Sequence, residues 1–177
     1  MVRTVLHYPD PRLKERSRPV TLFDESLHTL LDDMHETMIG REGIGLAAIQ
    51  IGEPLQALVI NLGTETGEQP PETKLEVINP KILEKRDTQK YREGCLSLPQ
   101  FYEDVIRAAW VRVRYQDRYG QFQEIEADGL LAVALQHEMD HLAGILFYER
   151  LSIVKRKKFE NEYASKFKPR KGGARRR

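Results

Sequence analysis

Residues 130–144, LLAVALQHEMDHLAG, set the tightest limit on how this chain can fold. Asp128-Gly129 offers a helix start and Gly144 a stop. Between them Leu130, Leu131, Val133, Ala134, Leu135, Met139 and Leu142 fall on nearly every side of a helical period, which predicts a helix buried all round rather than amphipathic. The same helix carries His137, Glu138, Asp140 and His141. Burying so many polar side chains costs roughly several kcal/mol unless each finds a strong partner, and a metal ion with a bound water is one. His137 and His141, four residues apart, are offset on a helix by about 40° in azimuth and about 6 Å in rise, so both rings aim at one point. Glu138 lies about 100° round from His137, too far to ligate the same ion comfortably but close enough to hold a water on it. That is the H-E-x-x-H arrangement of metal hydrolases. A solvated helix face can hold these residues by chance, but a helix apolar all round leaves no such face.

A chain of 177 residues, 40% apolar and 31% charged, has the size and composition of one soluble domain with a sizeable core. No apolar run reaches the length of a membrane span, and the opening MVRTVLHYPDP has neither an apolar h-region nor a small-residue cleavage site. A cytoplasmic location with no membrane partner is the expectation. The single cysteine, Cys95, rules out an intramolecular disulfide and leaves a free thiol, a buried filler, a nucleophile or a metal ligand. Net charge is +1, but residues 155–177 hold eleven Lys and Arg against Glu160 and Glu162, so that segment carries +9 and residues 1–154 carry −8. The basic end is a candidate anion-binding arm.

Taken in order, residues 1–6 alternate well enough for an edge strand, and Pro11 suits the first turn of a short helix capped by Asp10. His7, beside the strand end, reads as structural. Over 24–39, Leu27, Leu30, Leu31, Met34 and Met38 predict an amphipathic scaffold helix with Asp32, Asp33 and Glu36 outward and His28 and His35 at the surface. Residues 40–52 are rich in Gly and Ala, which suits a loop along which an extended ligand can hydrogen-bond. A dinucleotide fingerprint fails there, because no strand precedes the glycines and the spacing is wrong. Gln50 is a side chain of that loop able to donate to a carbonyl oxygen, or else an ordinary loop amide. Strands are expected over 55–62 and 75–78, the second ended by Asn79-Pro80, with an exposed loop over 63–74. Cys95 follows Gly94, and beside a two-histidine helix it becomes the third ligand of a tetrahedral site with one position left for water. A hairpin, 110–117 turning into 121–127, leads into the metal helix. A last helix is expected over 152–168, with Ile153, Phe159, Tyr163 and Phe167 on one stripe and Pro169 as its stop. Strands gather before the central helix without βαβ alternation, so the class is α+β: antiparallel or mixed sheets around a central buried metal-binding helix, with an N-terminal scaffold helix and a C-terminal helix. Residues 1–168 read as one catalytic domain and 169–177 as a flexible basic tail.

Three segments, GIGLAAIQ at 43–50, EGCLS at 93–97 and HEMDH at 137–141, together resemble the signature motifs of the peptide deformylases, enzymes that remove the N-formyl group from nascent bacterial polypeptides. The likeness extends to the layout of the whole chain, including Tyr8-Pro9 and the C-terminal helix. It implies that Cys95, His137 and His141 bind the metal with water as fourth ligand, and that Glu138 is general base and then general acid. It further implies that the Gln50 side chain and the Leu96 backbone N–H stabilise the oxyanion. Ile44, Leu130, Val133 and Ala134 would line a methionine pocket, and Gly45 and Gly94 would offer backbone hydrogen bonds to the peptide. Leu130 and Val133 serve equally well as plain core. The ligand set alone suggests zinc; the resemblance implies Fe²⁺, replaceable by Zn²⁺, Ni²⁺ or Co²⁺. Tyr102 stands where some members carry an arginine near bound peptide, and Glu93 with Arg107 is expected to form a buried pair bracing the cysteine loop.

Two rival readings follow from the same residues. A zincin protease shares H-E-x-x-H, but its third ligand usually lies downstream of the helix, whereas Cys95 lies upstream. An RNA- or ribosome-binding protein with a structural metal would use the basic end, which an enzyme acting on nascent chains could equally use to dock near the ribosomal exit tunnel through rRNA phosphates.

Overall fold

Short strands buried on both faces need a layer on each side, and residues 57–60, Ala-Leu-Val-Ile, are all buried. The computed structural model describes residues 1–167. In chain order it has α1 (Glu25–Ile39), β1 (Gly45–Ala47), β2 (Ala57–Ile60), β3 (Leu75–Arg86), β4 (Gln89–Cys95), β5 (Leu98–Arg107), β6 (Trp110–Gln116), β7 (Phe122–Asp128), α2 (Gly129–Leu142) and α3 (Ile153–Lys158). The strands form a five-stranded sheet ordered β1-β2-β3-β6-β7 and a two-stranded ribbon of β4 and β5, every ladder antiparallel. Leu58 and Ile60 face α2, packing with Ala47, Val77, Val113, Ala134 and Leu135. Ala57 and Val59 point the other way, onto Leu27, Leu31, Met34 and Met38 of α1. The sheet is therefore held between the scaffold helix and the central helix, which is the α+β arrangement the sequence predicts.

A third apolar cluster closes the back of the molecule. Leu98 and Val105 of the ribbon pack with Phe147, Phe159 and Tyr163, and Tyr148 stacks on Phe159 with ring centroids 4.1 Å apart. Beyond α3 the chain winds through a π turn, Phe159–Tyr163, and a 3₁₀ turn, Ala164–Phe167. Ile153, expected on the buried stripe, is 76% exposed, because the winding changes after Lys158 and the stripe does not continue straight. The final residue expected of that helix, the Pro169 stop and the 169–177 tail lie outside the described residues.

Four expectations are corrected. Residues 1–6 form no strand; Arg3 N–H donates to Thr37 Oγ1 at 2.8 Å and Leu6 N–H to the Gln50 carbonyl at 2.7 Å, so this segment is tied to α1 and to the loop instead of a sheet edge. Asp33 and His35 are buried, not outward. Asp33 accepts from Arg3 Nε at 2.8 Å, and His35 Nε2 lies 3.0 Å from Asn61 Nδ2, partners that a helical wheel does not contain. Asn79-Pro80 does not end β3. The strand runs on to Arg86 through a register shift between Ile78 and Lys81, with Asn79 at φ 50°, and a bulge is where a sheet tolerates a residue without an N–H. The expected loop over 40–52 contains β1 and a 3₁₀ turn, Ala48–Ile51, so an edge of the five-stranded sheet borders the candidate site.

Candidate metal centre and cleft

The central helix brings its polar residues to one place, and its C-terminal end is fixed by hydrogen bonds, whereas Asp128 at its start makes no side-chain cap. Gly144, at φ 72°, donates to the His141 carbonyl at 3.0 Å, and Ile145 donates to the Asp140 carbonyl at 2.9 Å, closing the C-terminus. A side chain at Gly144 would strike the Lys14 carbonyl, so the close approach of the N-terminal segment also demands glycine. At the other side of the site, Cys95 ends β4 and pairs with Leu98 across a tight turn, after a register shift past Glu93.

Cys95, His137 and His141 offer one donor atom each, all within 4.8 Å of one another. Cys95 Sγ lies 3.3 Å from His141 Nε2, near the roughly 3.5 Å separation that neighbouring donors have around a tetrahedral ion with ordinary metal–S and metal–N bonds. His137 Nδ1 lies 2.7 Å from Glu93 Oε2. A carboxylate has no proton to give, so the ring donates from Nδ1 and keeps the Nε2 lone pair for a ligand. A soft sulfur with two imidazoles suits a divalent transition metal, and the three side chains fit one.

Gln50 is buried and fixed in direction. Its Oε1 accepts from Ala47 N–H at 2.8 Å, which turns Nε2 toward Cys95 Sγ at 3.6 Å and Ser97 Oγ at 3.1 Å. The amide thus presents its donor to the side of the cleft that holds Cys95. Glu138 is buried, and one of its carboxylate oxygens, Oε2, has no partner among the described residues. Its other oxygen lies where a Cβ on Gly45 would be, and that Cβ would also stand 2.9 Å from the carboxyl carbon. Glycine at 45 is what lets β1 pass over the carboxylate. His141 Nδ1 is also buried without a partner among the described residues.

Burial pushes the Glu138 carboxyl up to about 7, with Glu93 adding to the shift and His137 and Arg107 opposing it. Burial also drives His141 well below the usual imidazole range, aided by His137 and Arg107. Burial would lower His137 as well, but the contacts with Cys95 and Glu93 outweigh it and hold that ring well above its ordinary value.

A cleft of about 570 Å³ opens onto this centre. Ile44, Gly45, Gly94, Leu96, Leu130, Val133 and Ala134 all line it, together with Gln50, Cys95, His137 and Glu138; His141 lies behind the wall. Tyr102 packs against Gly94, where a Cβ would stand 2.5 Å from its ring. His7, read as structural from the sequence, is exposed and on the wall of the cleft. Residues 6 and 8 place it there by donating to the carbonyls of Gln50 and Ser97, at 2.7 and 2.8 Å. Ser97, as the partner of the Gln50 amide, and Arg150, which binds Asp140, have no signal in the local sequence.

Comparison with known proteins agrees across nearly the whole chain. Residues 2–157 match the family described as Polypeptide deformylase. A peptide deformylase of Wolinella succinogenes is 58% identical over 158 residues, covering 89% of this chain and 93% of that protein. One from Nautilia profundicola is 51% identical over 170 residues, covering 96% and 98%. The crystal structure of a peptide deformylase from Legionella pneumophila superposes with a TM-score of 0.81 at 41% identity, covering 96% of this chain and all of that one.

Proposed function

This chain belongs to the polypeptide deformylase family of hydrolases, and from that membership and the geometry above we propose that it removes the formyl group from formyl-methionine at the N-terminus of newly made polypeptides through a Cys95/His137/His141 metal centre. The observation that carries the reading is three convergent donors with a buried, half-unpartnered carboxylate beside them at the head of a cleft. The family resemblance makes Fe²⁺ the ion, with Zn²⁺, Ni²⁺ or Co²⁺ able to replace it. When bound, the ion supplies Lewis-acid polarisation of the formyl carbonyl and lowers the pKa of a water toward neutrality.

The chain's own groups do the rest. Glu138 takes the proton as the water oxygen adds to the formyl carbon, and returns it to the leaving amine as the C–N bond breaks, giving formate and a free N-terminus. Gln50 Nε2, its direction fixed by Ala47, and the Leu96 N–H donate to the oxygen that gains charge. Ile44, Leu130, Val133 and Ala134 hold the methionine side chain, and the backbones of Gly45 and Gly94 bind the peptide as an added strand beside β1 and β4. Residues 1–168 act as one catalytic domain.

No helix of the described residues is long and apolar enough to cross a membrane. A cytoplasmic site of action and ribosome docking through the basic C-terminal segment complete the reading. Deleting residues 168–177 should weaken ribosome binding in a salt-dependent way and leave activity on short peptides intact; unchanged ribosome binding would contradict it.

The decisive assay is formate release from formyl-Met-Ala-Ser by protein purified without oxygen. We expect turnover that is lost on chelation and restored by Fe²⁺ or Co²⁺. Cleavage of an internal peptide bond without formate release would decide for a protease instead.

A further inference from the structure

The imidazole His137 is held by a line of side chains that leaves the site altogether. Glu93, which receives its Nδ1–H, is gripped by both arms of Arg107, Nε to Oε1 at 2.5 Å and Nη2 to Oε2 at 3.0 Å. Arg107 Nη1 then donates to Asp140 Oδ2 at 2.8 Å. Asp140 is held from the far side by Arg150, whose Nη2 reaches Oδ1 at 2.6 Å and whose Nε reaches Oδ2 at 3.0 Å. Arg150 comes from the 3₁₀ turn Phe147–Arg150, after the helix has ended, and Phe147 of the same turn packs against the His137 ring with centroids 5.7 Å apart.

Charge along this line alternates, and Glu93, Arg107 and Asp140 each have one neighbour on either side. The Arg107 side chain is 4% exposed and that of Glu93 3%, so neither can draw on water if its partner is lost. Arg150 is different, with its side chain 47% exposed. As a surface ion pair it would contribute little to stability. Its position gives it another effect: without it, one guanidinium, Arg107, must serve two buried carboxylates, and the two-armed grip on Glu93 competes with the demand of Asp140.

We propose that Arg150 is a positioning residue for His137, acting through Asp140, Arg107 and Glu93 to keep the imidazole oriented for metal binding. The inference rests on the reading above that His137 is a metal ligand. What the geometry requires at this position is a planar fork that meets both Asp140 oxygens at once.

The test uses Co²⁺-loaded full-length protein, whose visible absorption reports ligand geometry directly, and chelator competition for affinity. Arg150→Met should lose about tenfold in Co²⁺ affinity, the low end for side chains that orient metal ligands, and should shift the visible bands. Arg150→Lys should recover part of the affinity, supplying the charge without the fork. In a Glu93→Gln background, Arg150→Met should add almost nothing, because the line is already cut. Wild-type affinity and spectrum in Arg150→Met would overturn the proposal, as would a full, additive loss in the double variant. Should Arg150→Met fail to fold, the Arg150→Lys spectrum decides alike: bands identical to wild type contradict the proposal. Wild-type protein that binds no Co²⁺ sinks the metal centre itself, which is a separate outcome.

Discussion

Glu93, Arg107, Asp140 and Arg150 form one set of alternating charges, beside α2; Asp32, Lys74, Glu76 and Arg118 form another, between α1 and the rim of the sheet. The two are alike in partners and distances. Arg118 donates to Glu76 and to Asp32 at 2.8 Å each, and Lys74 reaches Asp32 at 2.9 Å and Glu76 at 3.1 Å. They differ in access to water, since Asp32 is 57% exposed while Glu93 and Arg107 are sealed. Water can replace a lost partner at Asp32 but not at Glu93 or Arg107. Pairing alone therefore does not say what a charge cluster is for. The inner set ends on His137 of the candidate metal centre, and the outer set reaches solvent at Asp32.

The comparison breaks most plainly at Arg107. Arg107→Met leaves Glu93 and Asp140 buried with too little positive charge, and should cost about 3–5 kcal/mol in urea unfolding and about 10- to 100-fold in metal affinity. Unaltered metal content and turnover in that variant would refute the bracing role. Next comes Gln50→Ala, which removes a donor from the site without touching either charge set. Formate release should fall about 10²- to 10³-fold with metal content unchanged; a normal rate would remove Gln50 from the chemistry.

Effects in the outer set should be smaller. Burial raises Glu76, but hydrogen bonds from Arg118 and Lys74 outweigh it and hold the carboxyl below its ordinary value. A depressed carboxylate stabilises the fold above its unfolded pKa of about 4.3, and that contribution is lost as pH falls through the lower folded value. Unfolding curves from pH 6 down to pH 3 should therefore show a shallower acid loss in Glu76→Gln than in wild type; parallel curves would contradict the depressed value. Smallest of all, Arg118→Ala should cost about 1 kcal/mol or less, and less again in 1 M salt. A loss as large as that of Arg107→Met would erase the distinction between the two sets.

Much of the centre is legible in the chain because its geometry is local. His137 and His141 are set by helical spacing, the burial of α2 by its apolar run, and its end by Gly144. The strands from Trp110 to Asp128 follow from alternation and a Tyr-Gly turn. What the sequence hides is long-range. Nothing near Asp33 or His35 announces Arg3 or Asn61 as partners, so a helical wheel places both outside. Asn79-Pro80 looks like a strand end because a bulge that can absorb a proline is visible only once β6 lies alongside. Arg150 looks like any surface cation, since the carboxylate that it holds lies ten residues earlier on a different element.

X-ray absorption at the edge of the bound metal, on protein purified without oxygen, reads the first coordination sphere itself. One sulfur at about 2.3 Å with nitrogen donors near 2.0–2.1 Å is the expected pattern, with the sulfur absent in a Cys95→Ser variant. A wild-type metal surrounded only by nitrogen and oxygen would mean that Cys95, His137 and His141 do not share one ion.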